Sequence, residues 1–265
     1  MAGIYSVRDG IIGVQSALGG RGGGGGVVAT NGLLNSLLAF WPGNEASGNL
    51  LDTHSGGYTM ADNATVTSTT GLVYPLARQY TAANLEYHSI TNAGLTAGDV
   101  DFTIAQWVYL DTLTDAYMFS RWDGSVKQEY ALTYLASSNR FRFRVSSDGL
   151  DATPILADTY GNVSTGAWNL VIGWHDAAND QIGICVNAGT PDTVSYALGV
   201  KTGSSSNAIG KNTAGTQYMN GRLGPSMMWK SAAGGGGVLT PAKRTALYNE
   251  GNGLAYTAFD AVDPT

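Results

Sequence analysis

The hexapeptide RFRFRV at residues 140–145 limits what this chain can fold into more than any other stretch. Phe141, Phe143 and Val145 fall on one side of an extended backbone; Arg140, Arg142 and Arg144 fall on the other. That period-two contrast is a strand with one buried face. Similar short runs recur between Pro-Gly, Ser-Gly, Asp-Gly and Asn-Gly turn signals. FTIAQWVYL (102–110), NLVIGW (169–174) and QIGICVN (181–187) are apolar on both faces, as central strands are. Further strands are expected at 37–41, 85–90, 116–121, 129–135 and 217–229. One segment, LTPAKRTALYNEG (239–251), reads as a helix. Thr240 is its N-cap, Pro241 occupies the first turn and Gly251 is placed to stop it. Many short strands with one short helix predict an all-β, two-sheet antiparallel sandwich or jelly roll.

Residues 1–35 have a different character. Gly19–Gly26 is a glycine tract broken by Arg21 alone. It is not a phosphate-binding loop, because it lacks the G-K-[ST] ending and a clear strand–loop–helix setting. A linker and an arm held by a partner both remain open. Glycine permits close backbone approach and unusual dihedrals in such an arm. The expected organisation is an N-terminal anchoring arm over 1–35, a β-domain over 36–256 and a tail over 257–265. In the arm, Arg8, Ile11, Ile12, Val14, Arg21, Val27 and Val28 are the candidate assembly residues. A second glycine run, Gly234–Gly237, precedes the helix as a loop extension or a second partner contact.

Hydrophobic residues are 43% of the chain, enough for a core, whereas charged residues are 13%, about half the usual share. The net charge of -6 gains nothing from counterion release on a phosphate backbone, which argues against a nucleic-acid partner. No apolar run approaches the ~18–20 residues of a membrane-spanning helix. The opening MAGIYSVRDGIIGVQSALGG lacks a basic start, and Arg8 and Asp9 interrupt its apolar part, so no export signal is expected there. The single cysteine, Cys185, allows no internal disulfide and reads as a small buried residue.

Five segments in order carry a family resemblance: LLAFWPGNEASGNLLDTHSG, DFTIAQWVYL, MFSRWDG, WNLVIGWHDAANDQIGICVNAG and MNGRLGPSMMWKSAAGGGGVLTPAKRTALYNEG. Together they resemble the laminin-G-like, concanavalin A-like lectin and glucanase domains over residues 36–256. The resemblance implies two antiparallel sheets of six or seven strands, one of them concave. It leaves the function open, because the fold hosts enzymes, lectins, adhesins and structural modules. Such domains are common on phage heads and tails, and the ending LTPAKRTALYNEGNGLAY is similar to phage and environmental sequences. The expectation is a non-enzymatic virion surface protein, of decoration or fibre type, made in the host cytoplasm. Its expected partners are other virion proteins, copies of itself, and polysaccharide. A free carbohydrate-binding module or adhesin is the alternative, and a glycan hydrolase a third reading.

Hydrolysis needs two carboxyls facing one another, about 5–5.5 Å or ~6.5–9.5 Å apart. Glu45, Glu86, Glu129 and Glu250 are far apart in sequence, and the alternating pair Asp99 and Asp101 sits in a turn and reads as structural. His54, His88 and His175 are scattered and read as surface or loop residues. No catalytic residues are assigned. Relatives often hold Ca²⁺ at the sandwich rim, which makes Asp52 and Asp123 weak candidate ligands. The closing motif departs from that pattern: GRLGPSMMW places Gly224 and Pro225 where relatives carry acids. The expectation is therefore no cofactor, with Ca²⁺ as the weak alternative. For glycan binding the candidates are Tyr117, Trp122, Tyr130 and Tyr134, in or beside polar stretches, with Arg142 and Arg144 on the non-core side of their strand. Trp107, Trp174 and Trp229 lie in apolar runs and read as packing.

Overall fold

The computed structural model describes residues 32–260, except 55–56, 125, 213–214 and 216. The candidate assembly residues Arg8, Ile11, Ile12, Val14, Arg21, Val27 and Val28 lie outside that set. The strands are β1 (Leu37–Trp41), β2 (Ala61–Asn63), β3 (Thr67–Thr70), β4 (Leu76–Tyr80), β5 (Tyr87–Ile90), β6 (Asp101–Leu110), β7 (Ala116–Trp122) and β8 (Gln128–Leu135). They continue as β9 (Arg140–Val145), β10 (Thr153–Leu156), β11 (Trp168–Asp176), β12 (Gln181–Val186), β13 (Asp192–Ser195), β14 (Asn207–Ile209) and β15 (Gly221–Ser231). The helix α1 (Pro241–Tyr248) closes the series.

Two antiparallel sheets result, consistent with a jelly-roll sandwich. One runs β13-β12-β11-β6-β15-β4-β3, with β1 also on β15, and has eight strands. The other runs β10-β9-β8-β7-β14-β5-β2 and has seven. The eighth strand, beyond the six or seven implied by the resemblance, comes from one irregularity. The register of β15 against β6 shifts between Leu223 and Ser226. The first part of β15 then pairs β4, and the part beyond the shift pairs β1.

Alternation along β9 fixes the packing. Phe141, Phe143 and Val145 point between the sheets, where they join Leu132 of β8 and Phe102, Ile104 and Val108 of β6. Gly173 of β11 admits this contact: a Cβ there would lie 2.5 Å from the Phe143 ring. The eight-stranded sheet is also apolar on its outer face. Trp107, Trp174, Trp229 and Cys185 lie there under Leu239 and Leu247 from the α1 region. The tryptophans and the cysteine are thus packing residues, as their runs suggest.

Two segments outside the expected domain limits join this layer. Leu33 is buried and its carbonyl accepts the Trp229 indole N–H, while the Leu34 N–H donates to Asp260 O. Phe259 is buried and packs edge-on against Phe40. Leu33, Leu34 and Phe259 therefore pack against the sandwich.

Helix α1 starts as expected, with the Thr240 hydroxyl accepting the Lys243 N–H. It stops three residues before the expected glycine: Asn249 takes the left-handed conformation at φ 48° and caps it. Two histidine assignments are corrected. His88 and His175 are strand residues with buried rings, at 0% and 1% exposure. Each ring is held by hydrogen bonds, His88 to Tyr80 and Gly48 and His175 to Val100 O. Burial is tolerable where polar atoms are paired in this way.

Candidate functional site on the outer face of the seven-stranded sheet

The opposite side of β9 builds the site. Arg144 lies in register between Ala131 and Pro154, and Arg142 between Thr133 and Leu156. Ala131 is too small to fill its place, so the Arg144 side chain reaches across it to β7. Its Cζ lies 4.1 Å from the Trp122 ring centroid and 5.0 Å from that of Tyr117. Two register shifts in β7, at Tyr117/Phe119 and Arg121/Trp122, accompany this placement of both aromatics on the outer face. Stacking of this kind stabilises by about 0.5–2 kcal/mol.

Arg144 is only partly exposed, and its Nε and Nη2, both buried, have no hydrogen-bond acceptor among the described residues. Burial pulls its pKa down to about 10, and the Asp115 carboxylate opposes that shift. Arg142 is better satisfied, its Nε donating to Thr133 Oγ1 at 3.1 Å. Arg140 pairs with Asp158 at 3.3 Å. Farther across the face, Lys211 Nζ lies 4.1 Å from the Tyr87 ring and 4.9 Å from the Tyr218 ring. The face thus carries two cation–aromatic stacks. Sequence reasoning missed the second; the signal available was the parity of Tyr87 beside the inward His88.

The six glycan candidates split by face. Tyr117, Trp122, Arg142 and Arg144 share the outer face, where Tyr117 and Trp122 are themselves buried, at 4% and 3% exposure, with Arg144 over their rings. Tyr130 and Tyr134 point into the core, with exposures of 0% and 1%, and cannot stack on a ligand there. Their positions share parity with Leu132, which is the physical reason. The Tyr130 hydroxyl donates to Leu95 O at 2.7 Å, and that of Tyr134 to Asn139 Oδ1 at 2.9 Å.

The calcium candidates are occupied locally. Asp52 Oδ1 accepts the backbone N–H of Phe40 and His54, and Oδ2 that of Tyr58, so this carboxylate ties three segments together. Asp123 lies 4.0 Å from Lys127 Nζ. Among the described residues no group of three or more His, Cys, Asp or Glu side chains is gathered to hold a metal. The carboxylates relevant to hydrolysis are also in structural use. Asp101 accepts the N–H groups of Ala177 and Gly234. Glu86 accepts from Thr81 N and Asn84 Nδ2. Glu129 is buried against Arg121, with Oε1 2.7 Å from Arg121 Nε.

With this geometry in place, the family follows. Residues 83–235 match the laminin G family described as the concanavalin A-like lectin/glucanases superfamily. That is more than half of the chain, and the protein belongs to this family. Among solved structures, one similar in fold is the binding domain of Paraclostridial Mosquitocidal Protein 1, with a TM-score of 0.63 and 13% identity. The alignment covers 81% of this chain and 52% of that one. Another is Domain 4 of AbnA, a GH43 extracellular arabinanase from Geobacillus stearothermophilus, in complex with arabinotriose. Its TM-score is 0.57 at 17% identity, over 80% of this chain and 97% of that one. A third is the binding domain of botulinum neurotoxin DC in complex with SialylT, with a TM-score of 0.56 and 14% identity, over 81% and 51% of the two chains. The chain spans about half the length of the toxin domains it matches. No curated protein sequence matches it.

Proposed function

We propose that this chain is a non-catalytic, glycan-binding head displayed on a phage particle as capsid decoration or fibre. Its glycine-rich first 31 residues would hold it to virion proteins or to copies of itself. The observation that carries the glycan reading is Arg144. A guanidinium that lies on two aromatic rings with two donors unmet is costly unless something supplies acceptors. Ring oxygens, hydroxyls and carboxylates of a saccharide are such acceptors, and Arg142 and Lys211 on the same face favour an acidic one. The solved structures of similar fold in complex with arabinotriose and with SialylT support the ligand class. The commitment of Glu86, Glu129 and Asp101 to structural hydrogen bonds supports a non-catalytic role.

Affinity electrophoresis through gels containing polygalacturonate, alginate, xylan or dextran tests the reading. Retardation is expected in at least one acidic gel, with Arg144→Gln weakening the apparent affinity about tenfold, as loss of a charge-assisted contact does. Unchanged mobility in every gel would sink it. The displayed-head part is tested by light scattering. The full chain is expected to form a discrete oligomer that deletion of residues 1–31 reduces to monomer. Monomers in both cases would favour the second reading, a free carbohydrate-binding module. The AbnA domain, matched over nearly its whole length, argues for that alternative.

A further inference from the structure

The eight-stranded sheet carries an open strip of its own. Helix α1 and the segments packed beside it cover Trp107, Trp174 and Trp229. At the other end of the same face, register aligns Trp168 of β11 with Tyr109 of β6, Tyr109 with Arg222 of β15, and Arg222 with Gln79 of β4. All four side chains are partly exposed. Tyr109 and Trp168 are 5.6 Å apart with their planes at 61°, and Arg222 Cζ lies 4.3 Å from the Tyr109 centroid.

The row carries several donors, one of them buried and unmet. Arg222 Nε has no acceptor among the described residues. The Trp168 indole N–H and the Tyr109 hydroxyl add two further polar groups to the row. Gln79 is fixed by its own amide, which donates to Asp111 Oδ2 and Gly221 O at 3.1 and 3.2 Å. The unusual Gly224–Pro225 in the closing motif now has a physical role. A Cβ at Gly224 would lie 3.5 Å from the Trp168 ring and 3.2 Å from Trp107 Cβ. The contact with Trp107 Cβ is the tight one that glycine relieves, while the Trp168 ring lies at ordinary contact distance.

We infer that this row, Trp168–Tyr109–Arg222–Gln79, is a second saccharide-binding strip, on the sheet opposite the Arg144 site. Three strand steps of about 4.8 Å give a row roughly 14 Å long, room for about three sugar rings in line. The C–H faces of the sugars lie on Trp168 and Tyr109, and their oxygens accept from the indole N–H, the Tyr109 hydroxyl and Arg222. The ligand is a linear oligosaccharide. The inference rests on the glycan reading for its ligand class and on separate residues for its place.

Isothermal titration of the full chain with cellotriose, xylotriose, arabinotriose and trigalacturonate, paired with tryptophan fluorescence, tests it. At least one trisaccharide is expected to bind and to shift the emission. Trp168→Ala should weaken that binding about tenfold or more, Arg222→Gln should weaken it less, and Trp168→Phe should retain most of it. Thermal melts of each variant establish that it is folded. Binding lost in Arg144→Gln but untouched in Trp168→Ala and Arg222→Gln overturns the strip and leaves the glycan reading standing. Binding weakened by the strip variants supports the strip, whatever Arg144→Gln does at the other sheet. No saturable binding of any trisaccharide overturns the strip, and the gel experiments then decide the Arg144 site alone.

Discussion

Replacing Arg121 by Met is expected to cost about 3–5 kcal/mol of folding stability, the scale on which a buried ion pair fails when one partner is removed. Arg121 and Glu129 are 1% and 0% exposed. The guanidinium bonds Glu129 Oε1 and Asn207 Oδ1, each at 2.7 Å, and the carbonyls of Asn92 and Gly203. Glu129 also accepts the N–H of Gly203 and Ala97. The pair therefore clasps two loops against the end of β7 and β8. Burial raises the Glu129 pKa, and the Arg121 charge is the main force holding it down. With Met in place the carboxyl rises further. A carboxyl raised in the folded state destabilises above its unfolded pKa, so the loss should be larger at pH 8 than at pH 5. Adding Glu129→Gln should recover part of it. Urea denaturation of the two variants at both pH values measures this, and a loss that is flat with pH and indifferent to the second substitution would refute it.

Legibility in the sequence followed apolar content. The expected strands at 37–41 and 140–145 coincide with β1 and β9, and 102–110 differs from β6 by one residue. All three carry enough buried side chains to override local alternatives. Six strands were missed: LARQY in β4, TPIL in β10 and NAI in β14, each too short to display a period, and three that are polar as well, ADN in β2, TSTT in β3 and DTVS in β13. The polar three lie at sheet edges, where one neighbour supplies the pairing and little apolar surface is needed. At the site, β9 was fully legible because its alternation is unbroken. Strand β7 was not, because its two register shifts change which face a residue takes. In EYALTYL an aromatic beside a polar neighbour reads as exposed, yet only parity with Leu132 decides the face, and it turns Tyr130 and Tyr134 inward. The Trp168–Tyr109–Arg222–Gln79 strip draws one residue from each of four strands and exists only in the pairing register.

Stability should also fall by about 3 kcal/mol as pH drops from 6.5 to 4, on account of His88 alone. Its ring is fully buried between β4 and β5 of opposite sheets. Arg78 Nη2 donates to Gly48 O and Val66 O, which uses both of its hydrogens. His88 Nε2–H therefore donates to Gly48 O, and Nδ1 accepts the Tyr80 hydroxyl at 2.9 Å. Protonation would place a donor against that hydroxyl and a second cation beside Arg78, with both side chains buried away from bulk solvent. Desolvation first, with help from Arg78, lowers the His88 pKa to about 4, while Gly48 O and Asp62, 3.8 Å away, oppose the shift. The unfolded chain therefore binds its proton near pH 6.5 and the folded chain only near 4. Between those values the unfolded state holds more protons, so stability declines as pH falls and levels off below pH 4. His88→Gln removes the titration and lacks the exact fit of the ring, so it should be the weaker protein at pH 7 and close much of the gap by pH 4. Urea midpoints for both proteins across that range measure the difference; a gap that stays constant would show that His88 does not drive the acid sensitivity.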